Sequence, residues 1–282
     1  MMEVWTRNER AWGDGVKAIL LLACATPVMW LAQTILLKLH GLPIRWRIDS
    51  GDTPRAVRLT GRVVTQASLA AVILVYPLIR GDGVRAYYAS LLPADSAIHF
   101  AQGAAASVLF LCVLYGVWLA TDCIRIEVHQ ARRRWVRRLV LLLPTAVLGA
   151  FVEELLFRGV VMRDLLEDMP RAPALAVGIA VVVFAAAHYV RPVKRRWTFP
   201  GHLMLGLLLC VAFFRTGSLW LATGFHAGGI LMIMGTRPFF RYRGPAWITG
   251  ASTFPFAGAV GMVGLAILTV FVASRYGAGG VQ

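Results

Sequence analysis

Long apolar stretches alternate along this chain with short segments that hold most of its basic residues. A hydrocarbon core about 30 Å thick needs roughly 20 apolar residues per helix. Eight stretches fit that template: 18–37, 63–79, 99–121, 139–162, 174–190, 201–214, 218–236 and 256–274. The sixth is the short one, and only Gly217 and Ser218 separate it from the seventh, so seven spans is the alternative count. The pattern predicts an all-α polytopic membrane protein with about eight transmembrane helices. The longest loops, 38–62 and 237–255, are too short for a core of their own, so the chain reads as one integral membrane domain over 1–282.

Composition agrees. With 58% hydrophobic and 15% charged residues, most of the chain has lipid as its solvent. The net charge of +15 raises the question of nucleic acid, but the bases sit between apolar runs rather than along one helix face. They act as juxtamembrane anchors; the bilayer is the expected partner and nucleic acid is not. Loops 1–2, 3–4, 5–6 and 7–8 hold six, six, four and three Lys and Arg, 19 of the 29, including Arg132, Arg133, Arg134, Arg137 and Arg138. The positive-inside rule then puts these loops in the cytoplasm and both termini outside. The Ala- and Arg-rich composition points to a bacterial cytoplasmic membrane.

Two smaller features change little. The cysteines, Cys24, Cys112, Cys123 and Cys210, lie in or beside different apolar runs without metal or disulfide spacing, and read as packing residues. The first run, Ala18 to Leu37, is too long for a signal-peptide core and lacks a cleavage pattern, so it is expected to remain as a span. A near-match between Gly13-Asp14-Gly15-Val16-Lys17-Ala18 and Gly81-Asp82-Gly83-Val84-Arg85-Ala86 falls at two outward span ends, where chance or a shared turn-and-cap requirement accounts for it.

The candidate chemistry lies where ionisable groups are costly, about 2.5–3.5 kcal/mol each at bilayer depth. The fourth span contains Glu153, Glu154 and Arg158, the fifth ends at His188, and the seventh carries His226. Glu154 and Arg158 stand one helical turn apart and can pair, which lowers the cost of both charges. Glu153 then points about 100° away, toward neighbouring spans, where desolvation favours a carboxylate able to take a proton from water. Two neutral imidazoles from separate spans can hold a metal, or orient a water and stabilise an oxyanion. The set suffices for water-dependent acyl hydrolysis.

At these residues the chain resembles the CAAX protease and bacteriocin-processing family, which includes the CAAX prenyl endopeptidases. Glu153, Glu154 and Arg158 match its E-E-x-x-x-R motif, Phe184 and His188 its F-x-x-x-H motif, and His226 opens its H-x-x-x-N motif. The likeness covers roughly 139–236, which it implies is the catalytic core. It implies an all-helical bundle around an intramembrane cavity and an endopeptidase that cuts a membrane-associated protein or peptide. In that scheme Glu153 activates the attacking water and His188 and His226 are its partners. The resemblance allows either zinc, held by Glu153, His188 and His226, or a metal-free glutamate mechanism. The departure is Ile230, which stands where the third motif has Asn or Asp and has no hydrogen-bonding group. Thr223, Tyr189 and His202 are candidate substitutes. A catalytically weak or inactive scaffold that sequesters a membrane partner is the alternative function. A proton-coupled transporter is a third, without the inverted halves such proteins often show.

Overall fold

The computed structural model describes residues 2–45, 53–127, 132–189 and 198–276. The helices are α1 (Met2–Leu39), α2 (Arg55–Arg80), α3 (Val84–Ala89), α4 (Ile98–Ala120), α5 (Arg132–Glu154), α6 (Arg163–Asp168), α7 (Pro173–Tyr189), α8 (Thr198–Thr216), α9 (Leu219–Thr236), α10 (Ala246–Thr249) and α11 (Ala259–Arg275). A π-helical segment, Leu155–Met162, joins α5 to α6 without interruption. Among the described residues, six helices are long and apolar enough to cross a membrane, and two shorter apolar ones, Pro173–His188 and Ala259–Arg275, complete the eight apolar stretches. The fold is an all-α polytopic membrane protein.

The helix lengths differ from the sequence expectation. The sixth stretch is not the short one, for α8 runs 19 residues. Instead α11 has 17 residues, which at 1.5 Å per residue is about 25 Å, less than a hydrocarbon core; α7 has 17 described residues. The seven-span alternative does not hold. Gly217 adopts φ +63° and its N–H bonds to the Phe213 carbonyl at 2.8 Å, closing α8. Ser218 then caps α9, its Oγ accepting from the Trp220 N–H at 3.3 Å.

Helices α8 and α9 sit at the centre, about half of each buried within the protein, whereas α1 and α2 are largely exposed. Small residues bring α9 against α4. A Cβ on Gly224 would strike the Phe100 carbonyl, one on Gly228 would lie 2.7 Å from the Ala104 carbonyl, and one on Gly103 would strike the Leu221 carbonyl. Close backbone approach of this kind replaces the missing hydrophobic drive between helices in lipid. Beyond these helices, β1 (Ile124–Ile126) pairs antiparallel with β2 (Phe240–Tyr242), Arg125 opposite Arg241. The ribbon puts loops 3–4 and 7–8 on one side of the bundle.

A polar cluster ties the other end. The fully buried Asp164 carboxylate accepts from the Tyr76 hydroxyl, the Arg80 guanidinium and, at 3.3 Å, the Tyr87 hydroxyl. Arg80 also meets Asp82 at 2.7 Å and Glu167 at 2.8 Å, and Asp14 at 3.9 Å. The two Gly-Asp-Gly segments therefore do not share a turn. Gly13–Ala18 is helical within α1, whereas Gly81, at φ +86°, caps α2; their aspartates share Arg80 instead.

Two stability outcomes follow from this packing. Gly228→Leu should destabilise the protein by about 1–3 kcal/mol through overpacking against α4. Asp164→Ala, which removes the buried acceptor shared by Tyr76, Arg80 and Tyr87, should cost about 3–5 kcal/mol, whereas Asp82→Ala at the exposed rim should cost under about 1 kcal/mol. Unfolding midpoints of the purified variants in mild detergent check the order.

Candidate functional site

Glu153 and Glu154 occupy the last turn of α5, immediately before the helix loosens into its π-helical segment. Glu154 is fully buried, and its Oε1 accepts from Arg158 Nη1 at 3.1 Å and from His226 Nδ1 at 2.7 Å. Arg158, equally buried, donates Nη2 to the Gly206 carbonyl of α8 at 3.1 Å and lies 4.4 Å over the Phe184 ring of α7. One ion pair thus reaches α7, α8 and α9. A buried charge pair is tolerable only with such additional partners.

Glu153 faces the other way. Its Oε2 lies 3.4 Å from His188 Nε2 and 3.7 Å from His226 Nε2. Straight spans counted from the sequence would instead leave His188 near one membrane face and the glutamates toward the other. A break at Pro144 or Gly149 does not close that gap, for α5 is continuous through both. His188 stands in the last described turn of α7, and the π-helical turns alter the facing of the chain just beyond Glu154.

The imidazoles are held by their other nitrogens. His188 Nδ1 lies 2.8 Å from the Phe184 carbonyl, and a carbonyl only accepts, so Nδ1 carries the proton and a neutral ring presents Nε2 as a lone pair. His226 donates Nδ1–H to a carboxylate already bound by Arg158, with the same result. Lone pairs of Glu153 and His188 facing each other across 3.4 Å repel unless a proton or a donor stands between them.

These groups line one end of a cavity of about 310 Å³ among α4, α5, α7, α8, α9 and the segment before α11. Its remaining wall is mostly apolar, with Phe110, Leu111, Leu205, Ile233, Leu265 and Leu268. Ile230 belongs to that apolar wall. Of the candidate substitutes, Thr223 is buried with its hydroxyl unpartnered and does not line the cavity. The Tyr189 side chain lies outside the described residues. His202 does line the cavity. Its ring stacks on His188 with centroids 5.1 Å apart and planes 24° apart, and its Nδ1 lies 2.6 Å from the Thr198 carbonyl. Sequence reasoning missed Ser107, Thr253 and Phe254, which reach the cavity from α4 and from the segment before α11. They lack charge, so nothing in a hydropathy pattern singles them out.

Zinc needs three or four donors closing on one point at about 2.0–2.3 Å. Among the described residues no three His, Cys, Asp or Glu side chains form a group able to hold a metal ion. As they stand, Glu153, His188 and His226 do not fit as a zinc ligand set.

No curated protein and no solved structure matches this chain. A family model does: residues 135–232, the segment carrying both glutamates, Arg158, His188, His202 and His226, contain a domain of the type II CAAX prenyl endopeptidase Rce1-like family.

Proposed function

We propose that the protein is an intramembrane endopeptidase that hydrolyses a peptide bond of a membrane-associated protein or peptide with a water activated by Glu153. The observation that carries this reading is the convergence of Glu153, His188 and His226, from three helices, at the polar end of an otherwise mostly apolar cavity. The Rce1-like domain over the same residues supports the protease class.

Glu153 takes a proton from water as the water oxygen bonds to the substrate carbonyl carbon. It returns that proton to the leaving nitrogen as the C–N bond breaks. His188 and His226 accept or hold the water's second hydrogen through Nε2, positions fixed by Phe184 and by Glu154. Arg158 neutralises Glu154, so that Glu154 stays an acceptor for His226 while Glu153 remains the group that exchanges protons. The mostly apolar wall lowers the local dielectric, which strengthens the electrostatic contacts inside it. No step requires a ligand set that the side chains do not form.

A second reading rests on Ile230, whose apolar side chain lines the cavity one turn beyond His226. With too little oxyanion support, the same cavity would bind a membrane peptide without cutting it.

The test uses the full-length protein in proteoliposomes with a lipid-anchored, quenched fluorescent reporter peptide, in a farnesylated and in a palmitoylated, unprenylated form. The native protein should cut at least one form, and Glu153→Ala should lower kcat by about 10²–10⁴-fold. Undiminished turnover in Glu153→Ala, or no cleavage of either form by the native protein, would sink the hydrolase and favour the scaffold. Elemental analysis of the purified protein should find no stoichiometric metal, and chelator should leave turnover intact. One metal per chain, lost in His188→Ala, would replace the metal-free mechanism with a metal-dependent one.

A further inference from the structure

We infer that Ser107, on α4, donates the hydrogen bond that stabilises the oxyanion formed on the substrate carbonyl; this rests on the hydrolase reading above. His188, His202 and His226 each commit the Nδ1 proton to a fixed acceptor: the Phe184 carbonyl, the Thr198 carbonyl and the Glu154 carboxylate. A neutral ring so tied presents Nε2 as an acceptor, and an ionised Glu153 is an acceptor as well. An oxyanion needs donors.

Two hydroxyls line the cavity, those of Ser107 and Thr253. Ser107 is only 7% exposed, and among the described residues its hydroxyl has no hydrogen-bond partner. Thr223 on α9 also lacks a partner but does not reach the cavity. Thr216, Thr236 and Thr269 each bond back to the carbonyl four residues earlier, at 2.6–2.7 Å, the usual resting place for a hydroxyl in an apolar helix. A hydroxyl without a partner at a cavity wall is open to an acceptor on a bound ligand.

Position supports the role. The glycine contacts that draw α4 onto α9 run from Gly103 and Ala104 to Gly224 and Gly228, and Ser107 follows one turn later on α4. Its hydroxyl lies 3.2 Å from where a Cβ on Gly229 would stand, beside the turn that follows His226. Gly229 has no side chain, so the space beside Ile230 is filled by a hydroxyl from the neighbouring helix. As water oxygen bonds to the carbonyl carbon and its proton passes to Glu153, the carbonyl π pair moves onto oxygen. Ser107 donates its O–H to that oxygen and keeps its proton. When the C–N bond breaks, the pair returns and the amine leaves with the proton held by Glu153.

With the same reporter peptides and full-length protein, Ser107→Ala should lower kcat by up to about 10²-fold while KM and the unfolding midpoint change little. Ser107→Thr, which restores a hydroxyl, should recover most of the rate. If Glu153→Ala abolishes cleavage but Ser107→Ala keeps the native kcat, the oxyanion assignment is wrong and the hydrolase stands. The assignment is equally overturned if Thr253→Ala alone loses the rate, or if Ser107→Ala acts only by lowering the unfolding midpoint. Failure of the native protein to cut either reporter overturns both.

Discussion

The Glu154–Arg158 pair is the interaction on which the rest of the site depends. Both groups are fully buried, in surroundings where an isolated charge costs several kcal/mol. The pair repays that cost by being the hub of a wider network. Arg158 reaches the Gly206 carbonyl and the Phe184 face, while Glu154 also accepts from His226. Three helices are thereby fixed relative to α5 by one charge pair, and the His226 ring is fixed in rotation. With Glu154 neutralised, Glu153 is the carboxylate of the two that lines the cavity, beside two imidazole nitrogens. Adjacent residues of the same type thus take different roles because a helix sends them to different environments.

Around that hub the bundle solves two problems particular to lipid. Helices gain nothing by burying leucine against leucine when the solvent is itself hydrocarbon, so α4 and α9 associate through glycines that bring backbone against backbone. The same contact carries Ser107 to the cavity. At the opposite end, Asp164 gathers Tyr76, Arg80 and Tyr87, and Arg80 draws in the aspartates of both Gly-Asp-Gly segments. This cluster anchors α1, α2 and α3 to α6, so the peripheral helices are held by polar contacts at their ends while the central ones are held by packing.

The sequence by itself determined the class of protein and the chemical set. Apolar stretches of membrane length report the fold because the backbone must satisfy its own hydrogen bonds in lipid, and a charge at that depth is costly enough to stand out against them. Glu153, Glu154, Arg158, His188 and His226 were visible for that reason, and the one-turn spacing identified the Glu154–Arg158 pair. Tertiary structure alone decided which residues meet across helices. It decided that Glu154 serves His226, that α7 brings His188 to Glu153, and that α5 runs unbroken past Pro144 before its π-helical turns. It also brought His202, Ser107 and Thr253 to the cavity. A serine among alanines and glycines carries no signal along the chain; its role comes from the neighbour it faces, and in a membrane that neighbour is chosen by small residues and buried polar contacts that hydropathy does not register.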